Sequence, residues 1–160
     1  MLKADNLREF RPTYKYTNGD AITLATVEEA ITSAANNYAI PVAFENDQIK
    51  SGGMFNSTTD DCLVLFHPEH PRDYFRFCIS IKRQGAFAFV SIRDFGESKQ
   101  LGKQAHAEAA KADRKGQSLS YKLGSMAVSG LMTLGKNKQK LEEEQCYYDA
   151  LVTIFDEIVS

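Results

Sequence analysis

Between residues 61 and 95 large apolar side chains fall at every second position in three runs: CLVLF (62–66), YFRFCISIK (74–82) and AFAFVSIR (86–93). A period of two with β-branched and aromatic residues predicts strands. A tight turn centred on Gln84-Gly85 joins the last two runs. It would set Ile81 against Ala88, Ile79 against Val90 and Phe77 against Ile92. The loop from His67 to Asp73 joins the first two runs and brings Leu63 and Leu65 onto the same apolar face, with Phe75 alongside. Three strands agreeing on one face argue for an antiparallel meander, because a one-residue slip would invert every side chain. The opposite face is mixed: Cys62, Val64, Phe66, Tyr74, Arg76, Cys78, Ser80, Lys82, Phe87, Phe89, Ser91 and Arg93.

The pattern on either side is helical. Val27, Ala30, Ile31, Ala34, Ala35 and Tyr38 recur at helical spacing and predict a helix over 26–38. Thr26 and Glu29 form a capping box at its start, and Asn36-Asn37 and Pro41 end it. Val42 and Phe44 begin a strand, Asn46-Asp47 reads as a turn, and 48–51 returns as a short strand. The first 20 residues show no periodicity beyond a turn at Asn18-Gly19-Asp20. Residues 97–118 are polar and alanine-rich, a helix or mobile connector, and 119–134 carry a broad apolar stripe. A final helix runs over 138–158, with Leu141, Tyr148, Val152, Phe155 and Val159 on its centre line and Tyr147, Leu151, Ile154 and Ile158 beside them. Strands grouped together with helices at the ends predict a single α+β domain over 1–160. It has an N-terminal helix, an antiparallel β-meander of four to five strands, and C-terminal helices packed on the sheet. A C-terminal helix is expected to cover the mixed face, since an open one would expose four aromatics.

Composition changes this picture little. The 160 residues are 43% hydrophobic and 25% charged, ordinary for a globular protein. The net charge of -2 gives no global attraction to nucleic acid. The charge is unevenly spread, however. Residues 98–140 hold 9 basic against 2 acidic groups, and residues 141–160 hold 6 acidic groups and no basic one. Such blocks either neutralise each other or form a basic arm for an anionic partner. Three cysteines at unrelated spacings (Cys62, Cys78, Cys146) match neither a disulfide framework nor a zinc pattern. The N-terminus has no apolar signal core, and the longest uncharged run, 123–135, is too short to span a bilayer. A cytoplasmic chain without a transmembrane segment is expected.

Candidate chemistry rests on four features. RQGAFAFVSI (83–92) resembles the core of the RNA-recognition-motif octamer, whose strand aromatics stack on bases. Here Gly85-Ala86 replaces that family's basic residue and glycine, Ile92 replaces its last aromatic, and the family's β-α-β order is missing. What carries over is the chemistry of the strand: Phe66, Tyr74, Arg76, Lys82, Phe87, Phe89 and Arg93 would form an aromatic and basic face suited to single-stranded nucleic acid. GLMTLGKN (130–137) resembles a phosphate-binding P-loop, but Asn137 stands where a Ser or Thr would hold magnesium. LVTIFDE (151–157) would have to be the strand completing it, yet its apolar positions fit a helix. His67, Glu69 and His70 of HPEH have metal-ligand chemistry, but Cys62 and Cys78 lie too far along the hairpin to share an ion, and a rigid solvated turn is the simpler reading. His106 lies among charges with no nucleophile linked to it.

No catalytic residue, metal or cofactor is therefore expected. The leading expectation is a small intracellular binding or interaction module that takes a protein partner or a second copy of itself. Nucleic-acid binding through the mixed sheet face is the alternative. A third possibility is membrane-surface contact through 119–140, where the apolar stripe adjoins Lys136, Lys138 and Lys140.

Overall fold

The computed structural model describes residues 1–98 and 138–159. All but Glu97 and Ser98 of the connector expected over 97–118, the stripe over 119–134, GLMTLGKN, His106 and most of the basic block lie outside the described residues.

The described chain is mixed α+β. Its elements are β1 (Leu2–Lys3), β2 (Arg8–Glu9), β3 (Tyr14–Tyr16), α1 (Leu24–Asn37), β4 (Ala43–Ser51), β5 (Thr58–Phe66), β6 (Arg76–Gln84), β7 (Phe87–Phe95) and α2 (Lys138–Val159). Strands β4 to β7 form the expected antiparallel meander, but only as the middle of a larger sheet. The N-terminal residues, which show no periodicity, add three more strands. β1 pairs with β4 in parallel, and β2 and β3 both pair antiparallel with β7. The result is a seven-stranded mixed sheet in the order β1-β4-β5-β6-β7-β2, with β3 also paired to β7 beside β2.

That order forces the sheet to curl. Laid flat, β1 and β2 would stand about 24 Å apart, five strand spacings of about 4.8 Å. Only five residue steps separate Lys3 from Arg8, a reach of at most about 18 Å. A 3-10 turn at Ala4–Asn6 shortens even that reach. The N-terminal segment is thus a strap between the two edges of the meander. Leu2, Ala4 and Leu7 pack across the face that carries Ile49, Cys62, Val64, Cys78 and Phe95. Between β2 and β3 the amides of Phe10 and Arg11 both donate to the Ile92 carbonyl, so the edge strand bulges ahead of Pro12. An edge bulge is where a sheet tolerates proline.

The register differs from expectation by one turn position. Gln84 pairs with Phe87, so the two-residue turn is Gly85-Ala86 rather than Gln84-Gly85. Gly85 takes φ +57° at the first central position, where a hairpin turn of this kind requires glycine. A turn at Gln84-Gly85 would have placed glutamine there. Ile81 consequently faces Val90 and Ile79 faces Ile92. Each partner moves by two residues, so every side chain keeps its face. The β5–β6 pair shifts likewise: Cys62 faces Ser80 and Val64 faces Cys78. Asn46-Asp47 is no turn; it lies inside the continuous strand β4.

Helix α1 starts earlier than expected, at Leu24, because Thr23 caps it and Thr26 completes the reciprocal box in place of Thr26 and Glu29. Its buried residues are Val27, Ile31, Ala34 and Ala35, while Tyr38 is exposed. Helix α2 buries Leu141, Tyr148, Leu151, Ile154 and Phe155. The two helices pack on each other and on the face carrying Leu63, Leu65, Phe77, Ile79 and Ile92. Each such side chain contributes about 1.5–3 kcal/mol on full burial. This corrects the expected covering: α2 lies on the apolar face, and the mixed face is covered at one end by the strap.

Gly19 marks a close approach between the N-terminal segment and the β6–β7 turn. Its amide donates to the Ala86 carbonyl at 2.9 Å. A Cβ there would stand 2.7 Å from that oxygen and 3.0 Å from the Phe87 carbonyl carbon. Both obstacles are backbone, so no side-chain rotation relieves them. Gly19→Ala is expected to lose about 1–3 kcal/mol in urea unfolding. Gly53→Ala, whose Cβ would meet nothing within 4 Å, serves as the near-neutral control.

Candidate functional site

The mixed face divides in two. Toward the strap it is closed: Cys62, Val64 and Cys78 are buried, and Phe66 is packed against them. Toward the β6–β7 turn it is open. There Lys15, Phe89 and Lys82 form one cross-strand row, with Phe89 between the two lysines. Phe87 is 37% exposed, and the Lys15 ammonium sits 4.3 Å from the centre of its ring. One row along, the Ser91 and Thr13 hydroxyls meet at 3.1 Å. Arg93 follows on the same face of β7, opposite Cys78 and Glu9.

Of the seven residues expected on this face, Lys82, Phe87, Phe89 and Arg93 come together on β6 and β7. Arg76 is at the far end, 4.5 Å from the centre of the Phe95 ring and 3.5 Å from a Glu45 carboxylate oxygen. Phe66 is also at that end, within the strapped cluster. Tyr74 is on the opposite side of the sheet, buried in the helix-covered core. It precedes β6, which starts at Arg76, so strand alternation does not govern its direction. Lys15 and Thr13 were missed because a three-residue strand is too short to show a period. The one available signal was the alternation Tyr14-Lys15-Tyr16, apolar-polar-apolar.

The cleft at the strapped end mixes signs, with Lys3, Arg8 and Arg76 facing Asp5 and Glu97, and so offers no uniform field to an ion. Cys62 and Cys78 are free thiols on diagonal cross-strand positions. Diagonal neighbours stand about 7–8 Å apart, beyond the usual reach of a disulfide. Their hydrogen bond draws the Cys62 thiol below its ordinary range and, with burial, pushes Cys78 up.

The HPEH turn is a folded unit. His67 Nδ1 accepts from the Glu69 amide at 3.1 Å, and His70 Nδ1 lies 3.1 Å from Asp73 Oδ2. His70 stacks on Tyr74, and His67 meets the Tyr147 ring edge-on. Among the described residues no group of three or more His, Cys, Asp or Glu side chains is placed to hold a metal ion. LVTIFDE lies wholly within α2, as its period implies. No helix among the described residues is long and apolar enough to cross a membrane.

A second chemical feature is a buried acid that the helical pattern conceals. Glu144 is fully buried on the inner face of α2, between Leu141 and Tyr148. The Tyr148 hydroxyl donates to its Oε1 and accepts from the Phe75 amide at 2.9 Å. Among the described residues Glu144 Oε2 has no hydrogen-bond partner. Burial is the main reason its proton affinity rises, to a pKa of about 7; hydrogen bonds from Ser98 and Tyr148 oppose that rise. Burial likewise raises Tyr74 to about 12. The sequence carried a signal for this acid: the apolar line of α2 jumps seven residues from Leu141 to Tyr148, and Glu144 fills the gap.

Comparison of the chain with protein-family models, with curated proteins and with solved structures found no match.

Proposed function

We propose that this protein is a binding module whose partner lies along the open part of the mixed sheet face, and that the partner is a single strand of nucleic acid. One observation carries the reading. Two phenylalanines at alternate positions of β7 stand exposed or half-exposed on the face away from α1 and α2, Phe89 between Lys15 and Lys82 and Phe87 with the Lys15 ammonium against its ring. Aromatic rings provide stacking surfaces for bases, and flanking cations follow the phosphates. The Ser91 and Thr13 hydroxyls beside them add donors for phosphate or sugar. The overall charge does not oppose this, because local cations set the contact.

The test is fluorescence anisotropy of a labelled mixed-sequence single-stranded RNA. Three cation–phosphate contacts, from Lys15, Lys82 and Arg93, predict a salt slope near -2. Affinity should then fall roughly 20-fold between about 50 and about 200 mM salt. Replacing Phe87 and Phe89 with alanine should weaken binding by about tenfold or more for each ring that stacks a base. Absence of binding at low salt, or binding indifferent to both substitutions in a folded protein, would overturn the reading. A concentration-dependent mass in sedimentation would then identify a second copy as the occupant of this face.

A further inference from the structure

We propose that Glu144 is a proton-operated latch between α2 and the sheet: protonated, it seats the first half of the helix, and ionised, it loosens that seat. The geometry places a carboxyl with no solvent exposure at the seam where α2 meets the β5–β6 connection and the end of β7. One oxygen is held by Tyr148, which itself holds the Phe75 amide and so ties the helix to the start of β6. The other oxygen is buried without a hydrogen-bond partner among the described residues. A neutral carboxyl tolerates that position at modest cost, but a carboxylate there is a buried charge lacking a counter-ion.

The surrounding groups give the charge little relief. From the β5–β6 connection come His67, His70, Asp73 and Tyr74, with His70 favouring ionisation and Asp73 opposing it. From the end of β7 come Asp94 and Ser98, and the Asp94 carboxylate is already matched to Arg8 of β2. From α2 itself come Glu143, Tyr147 and Tyr148. Asp73 adds to the burial, and Ser98 and Tyr148 supply the hydrogen bonds that favour the charge.

The direction of the effect follows. The folded form holds the proton more tightly than the unfolded chain, so this contribution to stability is complete below 4.5, falls as pH rises, and is lost above about 7. His67 acts in the opposite sense, because burial lowers its proton affinity, and stability rises with pH through its titration. The difference between wild type and Glu144→Gln therefore isolates the latch.

The experiment is thermal unfolding of both proteins from about pH 5 to about pH 8, followed by near-ultraviolet circular dichroism. With seven tyrosines and no tryptophan in the chain, that signal reports the tyrosines, including the three around Glu144. Relative to Glu144→Gln, the wild type should lose several degrees of Tm and part of its tyrosine signal as pH rises. In parallel, carbon-13 NMR of glutamate-labelled wild type should show one carboxyl titrating near neutrality. Identical pH dependence in the two proteins would overturn the proposal. If Glu144→Gln does not fold, the NMR decides alone: every glutamate titrating in the ordinary range near 4.5 would overturn it equally.

Discussion

Phe77→Ala is expected to lose about 3–5 kcal/mol of folding stability, and Phe89→Ala about 1 kcal/mol or less. Both phenylalanines lie within strands of the meander and both sit in runs of alternating aromatics. The difference lies in their surroundings. Phe77 has no exposure, and its ring meets Phe10 at 4.7 Å, Tyr148 at 6.0 Å and Phe155 at 6.1 Å between centroids. Those partners come from the bulge between β2 and β3, from α2 and again from α2. No single element can move to fill the cavity, so the truncation leaves both the lost transfer energy and an unrelieved void. Phe89 is half-exposed between two lysines and leaves no enclosed space. Denaturant unfolding of the two variants measures both numbers. Equal losses would mean that the open face is as well packed as the helix-covered one, and the binding reading would lose its basis.

Arg8→Met is expected to lose about 3 kcal/mol, though Arg8 lies in a strand of only two residues. Arg8 Nε donates to Asp94 Oδ1 at 2.7 Å, and its outer nitrogen donates to the Gly96 carbonyl at 2.7 Å. Its guanidinium also lies 5.1 Å from the centre of the Phe75 ring. The Asp94 side chain is 1% exposed, whereas that of Arg8 is 30% exposed. Methionine keeps the apolar stem but deprives a buried carboxylate of its nearest cation. Most of the loss is therefore the cost of leaving a buried carboxylate less well compensated, not the worth of the pair. Adding Asp94→Asn should recover part of it, so the double variant is expected to be at least as stable as Arg8→Met alone. A loss below about 0.5 kcal/mol for Arg8→Met would show that the strap does not hold this edge of the sheet.

The legible part of the fold was the part governed by local period. Val27, Ile31, Ala34 and Ala35 of α1, Leu141, Tyr148 and Phe155 of α2, and the shared face of Leu63, Leu65, Phe77 and Ile79 lie buried as their spacing implies, whereas Val152 and Val159 are half-buried and Leu151 and Ile154 beside them are fully enclosed. The register was legible only to within one turn position. It depended on which residue must take a positive φ, and Gly85 stands second in Gln84-Gly85 but first in Gly85-Ala86. The candidate site was legible on β6 and β7, where alternation holds, and failed at Tyr74, which lies before the strand begins.

The amino-acid sequence by itself determined α1, α2 and the strands β5 to β7, and which side of each is apolar. Side-chain period is a local property, and the hydrophobic effect acts on it wherever the chain ends up. Tertiary structure alone decided three things. It set the closure of the sheet by β1, β2 and β3, strands of two or three residues that are held by backbone hydrogen bonds to distant edges and are too short to show a period. It placed the two described helices, α1 and α2, on one face, with Phe87, Phe89, Lys15 and Lys82 on the other. It also enclosed Glu144, whose chemistry follows from the groups that folding brings around it: a glutamate at the same helical position on a solvated face would be an ordinary acid.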